Sequence, residues 1–257
     1  MTDIAADMPP ASLYKYRCFD KGREGGQDYD WDRAIIVGCS LWAGSPLFFN
    51  DPFDCYPVVD FDGTQQERSD WAAQVAANNE MSEQQVLAIM ENALKNPTAI
   101  ALMADWRRNL AQLSVLSLTE EPDDMLMWAH YANSHKGYCL ELDATVPPLS
   151  FANRVHYIPE RPTFRLFDPN KADKLVHMLL IKADFWEHEH EWRMVRPVEH
   201  GPLIIPTESL KSIIFGAGIT PGDEAELREM ANEREVPVAF KRAKLDNRDY
   251  RLEIIEA

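Results

Sequence analysis

Residues 127–143 have the sequence MWAHYANSHKGYCLELD, which predicts a short helix that stops at Gly137 and a strand that follows it directly. Helical spacing puts Trp128, Tyr131 and His135 on one face, because they lie at positions i, i+3 and i+7. An aromatic face with polar tips suits a ligand that combines a flat ring with hydrogen-bonding groups, and it is also typical of side chains at the rim of a core. The candidate ligand-binding residues of this segment are Trp128, His130, Tyr131 and His135.

The composition predicts a globular protein without a basic surface. The chain has 257 residues, of which 46% are hydrophobic and 10% aromatic, so it is long enough to bury a substantial core. Its 42 acidic residues against 26 basic ones give a formal charge of -16, which repels a phosphate backbone and argues against generic nucleic-acid binding. A single nucleotide in a local cleft is compatible with that charge, since net charge describes the whole surface.

Cysteine spacing and hydropathy predict a soluble cytoplasmic protein. The cysteines have neither paired short spacing nor the density of a small secreted scaffold, so we expect reduced thiols. No stretch approaches the roughly 18 apolar residues of a membrane span, and the first residues include acids instead of an apolar leader. We therefore expect no membrane partner.

The order of predicted elements indicates an α+β fold in one domain of residues 1–257, with a mixed or antiparallel sheet core. Residues 1–11 are predicted as a loose leader and residues 65–112 as an inserted helical block, because no Pro-rich or Gly/Ser-rich linker separates two halves. A capping box of Ser82 and Gln85 opens one helix of that block. The predicted helices span residues 65–79, 82–96, 98–112, 171–184 and 221–234. The predicted strands span residues 13–19, 113–118, 138–142, 154–158, 192–195, 212–215, 236–240 and 250–255, and residues 33–37 are predicted as a strand or a short helix.

The segment FWEHEHEWRMV at residues 185–195 is the strongest chemical candidate. On a strand, its period of two would align three acids with Arg193 on one side. The acids are Glu187, Glu189 and Glu191. Clustered carboxylates raise at least one pKa unless a cation compensates, and Arg193 is placed to do so. Glu189, Glu191 and Arg193 are therefore the candidate catalytic residues, and the alternative is a solvated strand edge with an Arg–Glu pair.

Two histidines in the same segment raise the question of a metal ion. His188 and His190 alternate with the acids, and on a strand an H-x-H pair could bind one ion. No fixed spacing selects a third ligand, so exposed histidines are the preferred interpretation and no metal site is predicted.

The loop SPLFFNDPFD at residues 45–54 is a second candidate. Asp-Pro punctuation argues against regular structure there. Asn50 and Asp51 can cap their own turn through side-chain hydrogen bonds. The same loop could close a pocket with its phenylalanines, which would leave Ser45 or Asn50 to bond a ligand. The two roles are compatible.

Three segments together resemble a family of bacterial and phage-encoded proteins known as domain of unknown function family 2971. They are the Ser-Pro and FNDPFD loop, the MWAHYANSHKG helix, and a K-x-x-x-W-x-x-E-x-E-x-R run from Lys182 to Arg193. Their order and spacing agree with that family across nearly the whole chain, and the closing strand SIIFG with its helix looks like the family's C-terminal portion. The resemblance implies no named activity.

A more distant resemblance is to the ADP-ribosyltransferase superfamily, whose members carry a His or Arg on a first strand, a Ser or Tyr on a second, and a Glu beside a third. It implies a split sheet and NAD as substrate. Arg17, which follows Tyr16, would hold the NAD phosphates or ribose, and Ser45 would take the second position. Glu189 or Glu191 would bond the nicotinamide ribose and stabilise the positive charge that develops as the glycosidic bond breaks.

Under this resemblance Tyr131 or Trp128 would stack on nicotinamide, so the predicted function is that of an NAD-dependent ADP-ribosyltransferase-like enzyme. One alternative is a non-catalytic module that binds a nucleotide or a protein in a defence or regulatory context. A second is a metal-dependent nuclease or phosphoesterase that uses Glu189, Glu191 and His188, which the acidic surface disfavours. The candidate NAD-contacting residues are Tyr16, Arg17, Ser45, Asn50, Trp128, His130, Tyr131 and His135.

Overall fold

The computed structural model describes residues 7–19, 27–95, 110–168 and 171–257, and it confirms the α+β class with a mixed sheet. The helices within these ranges are α1 (Gln27–Ile36), α2 (Gln65–Asn79), α3 (Glu83–Lys95), α4 (Met125–Tyr131), α5 (Lys171–Met178) and α6 (Pro221–Asn232). The strands are β1 (Ser12–Arg17), β2 (Ser40–Ala43), β3 (Val58–Asp60), β4 (Ser114–Thr119), β5 (Tyr138–Asp143), β6 (Asn153–Arg154), β7 (His156–Ile158), β8 (Thr163–Arg165), β9 (Ile181–Ala183), β10 (Glu191–Arg196), β11 (Gly201–Ile204), β12 (Leu210–Phe215), β13 (Ala239–Leu245) and β14 (Leu252–Glu256).

The main sheet has eight strands in the order β14-β13-β12-β5-β1-β4-β10-β6. Neighbouring strands run antiparallel except β12 and β13, which are parallel. Three further pairs, β2 with β11, β3 with β8 and β7 with β9, form separate two-stranded sheets.

The main sheet divides between β1 and β4. Strand β1 pairs with β5 at all six of its residues, whereas it meets β4 at a single register pair, Tyr14 with Thr119. Strand β4 in turn pairs with β10 along its whole length. The sheet therefore consists of two continuous halves that separate beyond Tyr14.

Side-chain alternation along the strands gives the sheet an apolar surface on each face. In β1, Leu13 belongs to the larger core cluster, to which α1 and α6 contribute, and Tyr16 belongs to a second cluster with α4. Trp128 is fully buried in that second cluster, where its ring meets Tyr16 edge-on at a centroid distance of 5.0 Å. Its indole Nε1 donates to the carbonyl oxygen of Pro122 at 2.9 Å, so this tryptophan is a satisfied core residue.

The helical block begins as its sequence predicts. Thr64 and Glu67 form a reciprocal capping box at the start of α2, and Ser82 and Gln85 exchange equivalent hydrogen bonds at the start of α3. The two helices share a small apolar cluster of their own, centred on Ala72, Ala76 and Val86. Most of the third predicted helix, residues 98–112, lies outside the described residues. The division into one domain with an insertion stays a prediction.

The predicted strand at residues 192–195 lies within β10, but the strand alternation that was extended over residues 185–195 was wrong. Residues Asp184–Glu189 form a 3-10 helix, His190 has a left-handed φ of 40°, and only from Glu191 does β10 begin. The three acids therefore do not share one strand face, and Glu187 is exposed. The physical reason is tertiary: the Trp186 indole donates to Asp51 Oδ2 at 2.9 Å, a long-range bond that alternation along the sequence does not encode.

Two predicted helices are shorter than their patterns suggested. Helix α4 ends at Tyr131, and Asn133, Ser134 and His135 adopt left-handed backbone with φ of 47°, 53° and 66°. His135 is therefore not part of the helical stripe with Trp128, which corrects the predicted common face. Helix α5 ends at Met178, and the residues that would have continued it form strand β9 beside β7.

The four cysteines, Cys18, Cys39, Cys55 and Cys139, are free thiols, in agreement with the prediction. In residues 7–19, 27–95, 110–168 and 171–257, no helix combines the length and apolar character needed to cross a membrane. The cytoplasmic location stays a prediction.

Candidate functional site

A cavity of about 310 Å³ lies where the two halves of the main sheet separate, and we call it the split-sheet cavity. Strand β1 contributes Tyr14, Lys15 and Tyr16, and β4 contributes residues 117–119. The segment before β3 contributes residues 48–50 and Asp54, and α4 contributes Met127 and Tyr131. The remaining lining side chains are Lys182, Glu189 and Glu191.

Arg193 organises the charged groups beneath this cavity. Its side chain is fully buried, and its guanidinium binds both oxygens of Asp54, at 2.9 and 2.6 Å. It also binds both oxygens of Glu191, at 2.7 and 2.8 Å, and donates to the carbonyl oxygen of Leu179 at 2.7 Å. A planar guanidinium with five donors can satisfy two carboxylates in this way, whereas a lysine ammonium cannot.

Lys182 is the second buried cation of the network. Its Nζ donates to Glu189 and, at 3.1 Å, to Glu191, and it lies 3.8 Å from Asp54 Oδ2. Burial lowers the pKa of Lys182, but the carboxylates of Glu191, Glu189 and Asp54 raise it well above its usual range. The side chain therefore stays an ammonium at every physiological pH.

The two cations keep Glu191 ionised although it is buried. Burial raises the pKa of the Glu191 carboxyl, and the charges of Arg193 and Lys182 lower it further than burial raises it, to about 2. Both carboxylate oxygens of Glu191 accept hydrogen bonds from Arg193, and Oε2 also accepts from Lys182. Glu191 is therefore better suited to holding the network together than to exchanging a proton.

Glu189 connects the charged network to the cavity wall. The Tyr131 hydroxyl donates to Glu189 Oε1 at 2.6 Å, and the Asn50 amide donates to the Tyr131 oxygen at 3.2 Å. Burial and the neighbouring Glu189 charge raise the pKa of the Tyr131 phenol, so it remains a hydrogen-bond donor. Three predicted site residues from three different segments therefore meet at one place.

Lys15 lies across the gap between the two halves of the sheet. Its Nζ donates to the carbonyl oxygen of Ser117 on β4 at 2.8 Å, where regular strand pairing is missing. Burial, and next the charge of Arg17, lower the pKa of Lys15 to about 8, although Glu191 and Glu189 oppose the shift. Sequence analysis missed this residue; its only signal was a basic side chain between two tyrosines in a strand.

The 45–54 loop caps its own turn, and part of it lines the cavity. Asp51 Oδ1 accepts from the Phe53 backbone N–H at 2.8 Å, and the Asn50 side chain accepts from Asp51 N–H at 3.1 Å, which confirms the predicted self-capping. Asn50 lines the cavity, as does Phe48, which is 81% exposed. Ser45 is buried and caps the following 3-10 turn by accepting from the Leu47 N–H, and it does not line the cavity.

Four other predicted binding residues lie away from the cavity lining. Arg17 pairs with Asp32 at 2.9 Å, Trp128 is in the core, and His130 is exposed. His135 belongs to the turn between α4 and β5, where its carbonyl oxygen accepts from Gly218 N–H at 2.8 Å. The cavity lining contains Tyr16, Asn50, Tyr131, Glu189 and Glu191 of the predicted site, and Arg193 lies directly behind it.

Among the described residues, one trio has the ligand spacing that a metal ion would need: Glu120, Glu121 and His190. It lacks the predicted acids and His188, and Glu120 already accepts from Arg154 and from the Trp192 indole, each at 3.0 Å. His190 Nδ1 lies 2.8 Å from Glu121 Oε1. These contacts explain the trio as an ion-paired surface cluster.

Comparison of the chain with protein-family models, with curated proteins and with solved structures found no match. The two resemblances stated from the sequence stay predictions.

Proposed function

We propose that this protein binds a nucleotide, or another small molecule that contains a nucleoside, in the split-sheet cavity. The observation that carries the proposal is one open cavity of about 310 Å³ that combines aromatic walls with a hydrogen-bonding floor. Volumes of this order are usual for small-molecule sites, which are mostly apolar and hold a few convergent polar groups.

The aromatic walls suit a flat ring. Tyr14, Tyr16, Phe48, Phe49 and Tyr131 all line the cavity. The Phe48 ring is 81% exposed, so a base can stack on its solvent-facing side. A ligand that covers this ring removes apolar surface from water, which makes the free energy of binding more favourable.

The floor suits a neutral sugar better than a phosphate. The formal charges of the side chains there sum to zero. Three carboxylates, Asp54, Glu189 and Glu191, balance three basic side chains, Lys15, Lys182 and Arg193. Glu189 can accept hydrogen bonds from ribose hydroxyls. A phosphate would meet three carboxylates, to which Lys182 and Arg193 are already bound. We therefore assign base and ribose to the cavity, with any phosphates directed to solvent.

NAD-dependent ADP-ribosyl transfer is a second candidate, favoured by the position of Glu189 on the lining of a split sheet. A carboxylate there could bond the nicotinamide ribose and stabilise an oxocarbenium-like transition state. Arg17 and Ser45, which that resemblance assigns to NAD, lie outside the lining, so this candidate depends on the glutamates. The nuclease alternative comes last, because Glu191 is already bound by Arg193 and Lys182.

Isothermal titration calorimetry with NAD, ADP-ribose and adenosine tests the proposal. Glu189→Gln keeps the shape of the side chain and removes its charge, so we expect binding to weaken at least about tenfold, equivalent to roughly 1.4 kcal/mol. Ser45→Ala is the matched control, because Ser45 is buried in the same region but does not line the cavity. Absence of binding by all three compounds, or equal weakening in both variants, contradicts the proposal.

Nicotinamide release from NAD separates the two candidates. Release by the wild-type protein that Glu189→Gln abolishes supports the transferase. Binding of NAD or adenosine without release, alone and with cell lysate as a source of acceptors, supports a non-catalytic nucleotide-binding module.

A further inference from the structure

The split-sheet cavity contains two lysines whose environments differ in one decisive respect. Lys182 donates to the carboxylates of Glu189 and Glu191. Lys15 Nζ donates to a neutral acceptor, the carbonyl oxygen of Ser117, at 2.8 Å. Carboxylates stabilise the charged ammonium form of a lysine. A lysine that donates to a carbonyl oxygen can lose one proton and keep that hydrogen bond, because the neutral amine still has N–H groups.

We propose that Lys15 is a carbonyl-reactive amine, which condenses with an aldehyde or ketone bound in the split-sheet cavity to form an imine. The geometry supports this because Lys15 lines an open cavity of about 310 Å³, in which a small carbonyl compound can reach the amine. The aromatic side chains of Tyr14 and Tyr16 flank it on the same strand and also line the cavity. The inference does not depend on nucleotide binding.

The net effect of the surroundings is to lower the pKa of Lys15, which favours the neutral amine that the reaction needs. Burial, which has the largest effect, and next the charge of Arg17 on the same strand lower its pKa to about 8. Glu191 of β10, Glu189 before it and Cys139 of β5 oppose this shift. At pH 7 a pKa of about 8, compared with 10.5, gives a neutral fraction that is larger by a factor of about 300.

The reaction balances without a cofactor. The nitrogen of the neutral amine attacks the carbonyl carbon, a C–N bond forms, and one amine proton passes to the carbonyl oxygen to give a carbinolamine. The hydroxyl then leaves with a proton taken from solvent, the second amine proton is released to solvent, and the products are an imine and one water molecule. The open cavity gives solvent access to these proton transfers.

Salicylaldehyde is a suitable probe, because its flat ring fits an aromatic wall and its aldehyde forms imines with free amines. The wild-type chain of 257 residues is incubated with the probe and cyanoborohydride, which reduces the imine to a stable amine. The modified lysines are identified by peptide mass spectrometry. At pH 7 and limiting probe we expect Lys15 to be modified at least about tenfold faster than Lys182 and the exposed lysines. We expect the rate at Lys15 to rise with a midpoint near pH 8.

The wild-type peptide map decides the matter even where a variant folds poorly. Lys15→Met removes the amine and keeps the aliphatic stem, so the fast phase of labelling should disappear. Lys241→Met is the control, because Lys241 pairs with Glu141 at 2.7 Å outside the cavity, and the fast phase should persist. Labelling that is spread over exposed lysines with Lys15 unmodified, or a Lys15 rate that does not change between pH 7 and pH 9, overturns the inference.

Discussion

Replacement of Arg193 by methionine should destabilise the protein severely. The guanidinium is fully buried and satisfies two carboxylates, Asp54 and Glu191, through four hydrogen bonds of 2.6 to 2.9 Å. Methionine replaces only the aliphatic part of the side chain and has no charge, so it would leave those carboxylates buried with Lys182 as their remaining cation. Removal of one partner from a buried ion pair typically costs about 3–5 kcal/mol, because the other charge is left without compensation.

The loss can be measured by urea unfolding of both proteins at pH 7. For a chain of this length about 4 kcal/mol corresponds to a decrease in Tm of roughly 10 °C. Arg154→Met is the matched control: Arg154 also pairs with a glutamate, Glu120 at 3.0 Å, but its side chain is 44% exposed. Removal of such a surface pair should cost at most about 1 kcal/mol.

A result in which Arg193→Met loses no more stability than Arg154→Met would refute the argument. Such an outcome would mean that water or a neighbouring group compensates Asp54 and Glu191 when the guanidinium is absent. Arg193→Lys gives an intermediate test, because one ammonium cannot reproduce the paired bonds to both carboxylates, and we expect its stability to fall between those of the wild type and Arg193→Met.

Two further predictions concern stability. Glu191 has a folded-state pKa of about 2, below its unfolded value, so it contributes stability that is present above about pH 4.5 and lost as the pH falls toward 2. The difference in unfolding free energy between wild type and Glu191→Gln, measured in urea titrations, should therefore shrink across that interval. A constant difference would contradict this prediction. Gly137→Ala should cost about 1–3 kcal/mol, because the new Cβ would lie 2.1 Å from the Arg17 carbonyl oxygen. Gly201→Ala meets nothing within 4 Å and should be close to neutral, and equal melting temperatures for the two variants would be evidence against this account.

Local sequence signals predicted much of the fold. Ser82 and Gln85 predicted the start of α3, because a capping box is formed by residues three positions apart. The strand after Gly137 was also predictable, since its apolar residues alternate between two buried faces. Each of these features depends on neighbours within a few positions in the chain.

The rest depended on contacts between distant segments. Strand alternation does not extend over residues 185–190, because Trp186 binds Asp51, which lies 135 positions away. Part of the site was predictable: the glutamates, Asn50 and Tyr131 were selected for their chemistry, and they do meet. Lys15 was missed because its significance comes from the gap between β1 and β4, which no pattern within β1 can reveal.

Hydrogen–deuterium exchange tests most directly whether the split-sheet cavity is the ligand site. Exchange is compared with and without saturating adenosine or NAD, since bound ligand slows the opening of the backbone that it covers. Our account predicts increased protection in β1, in residues 46–54 and from β4 through α4, with no change in α6 or β13. Protection confined to segments outside the cavity, or no change in any segment with either compound, would contradict it.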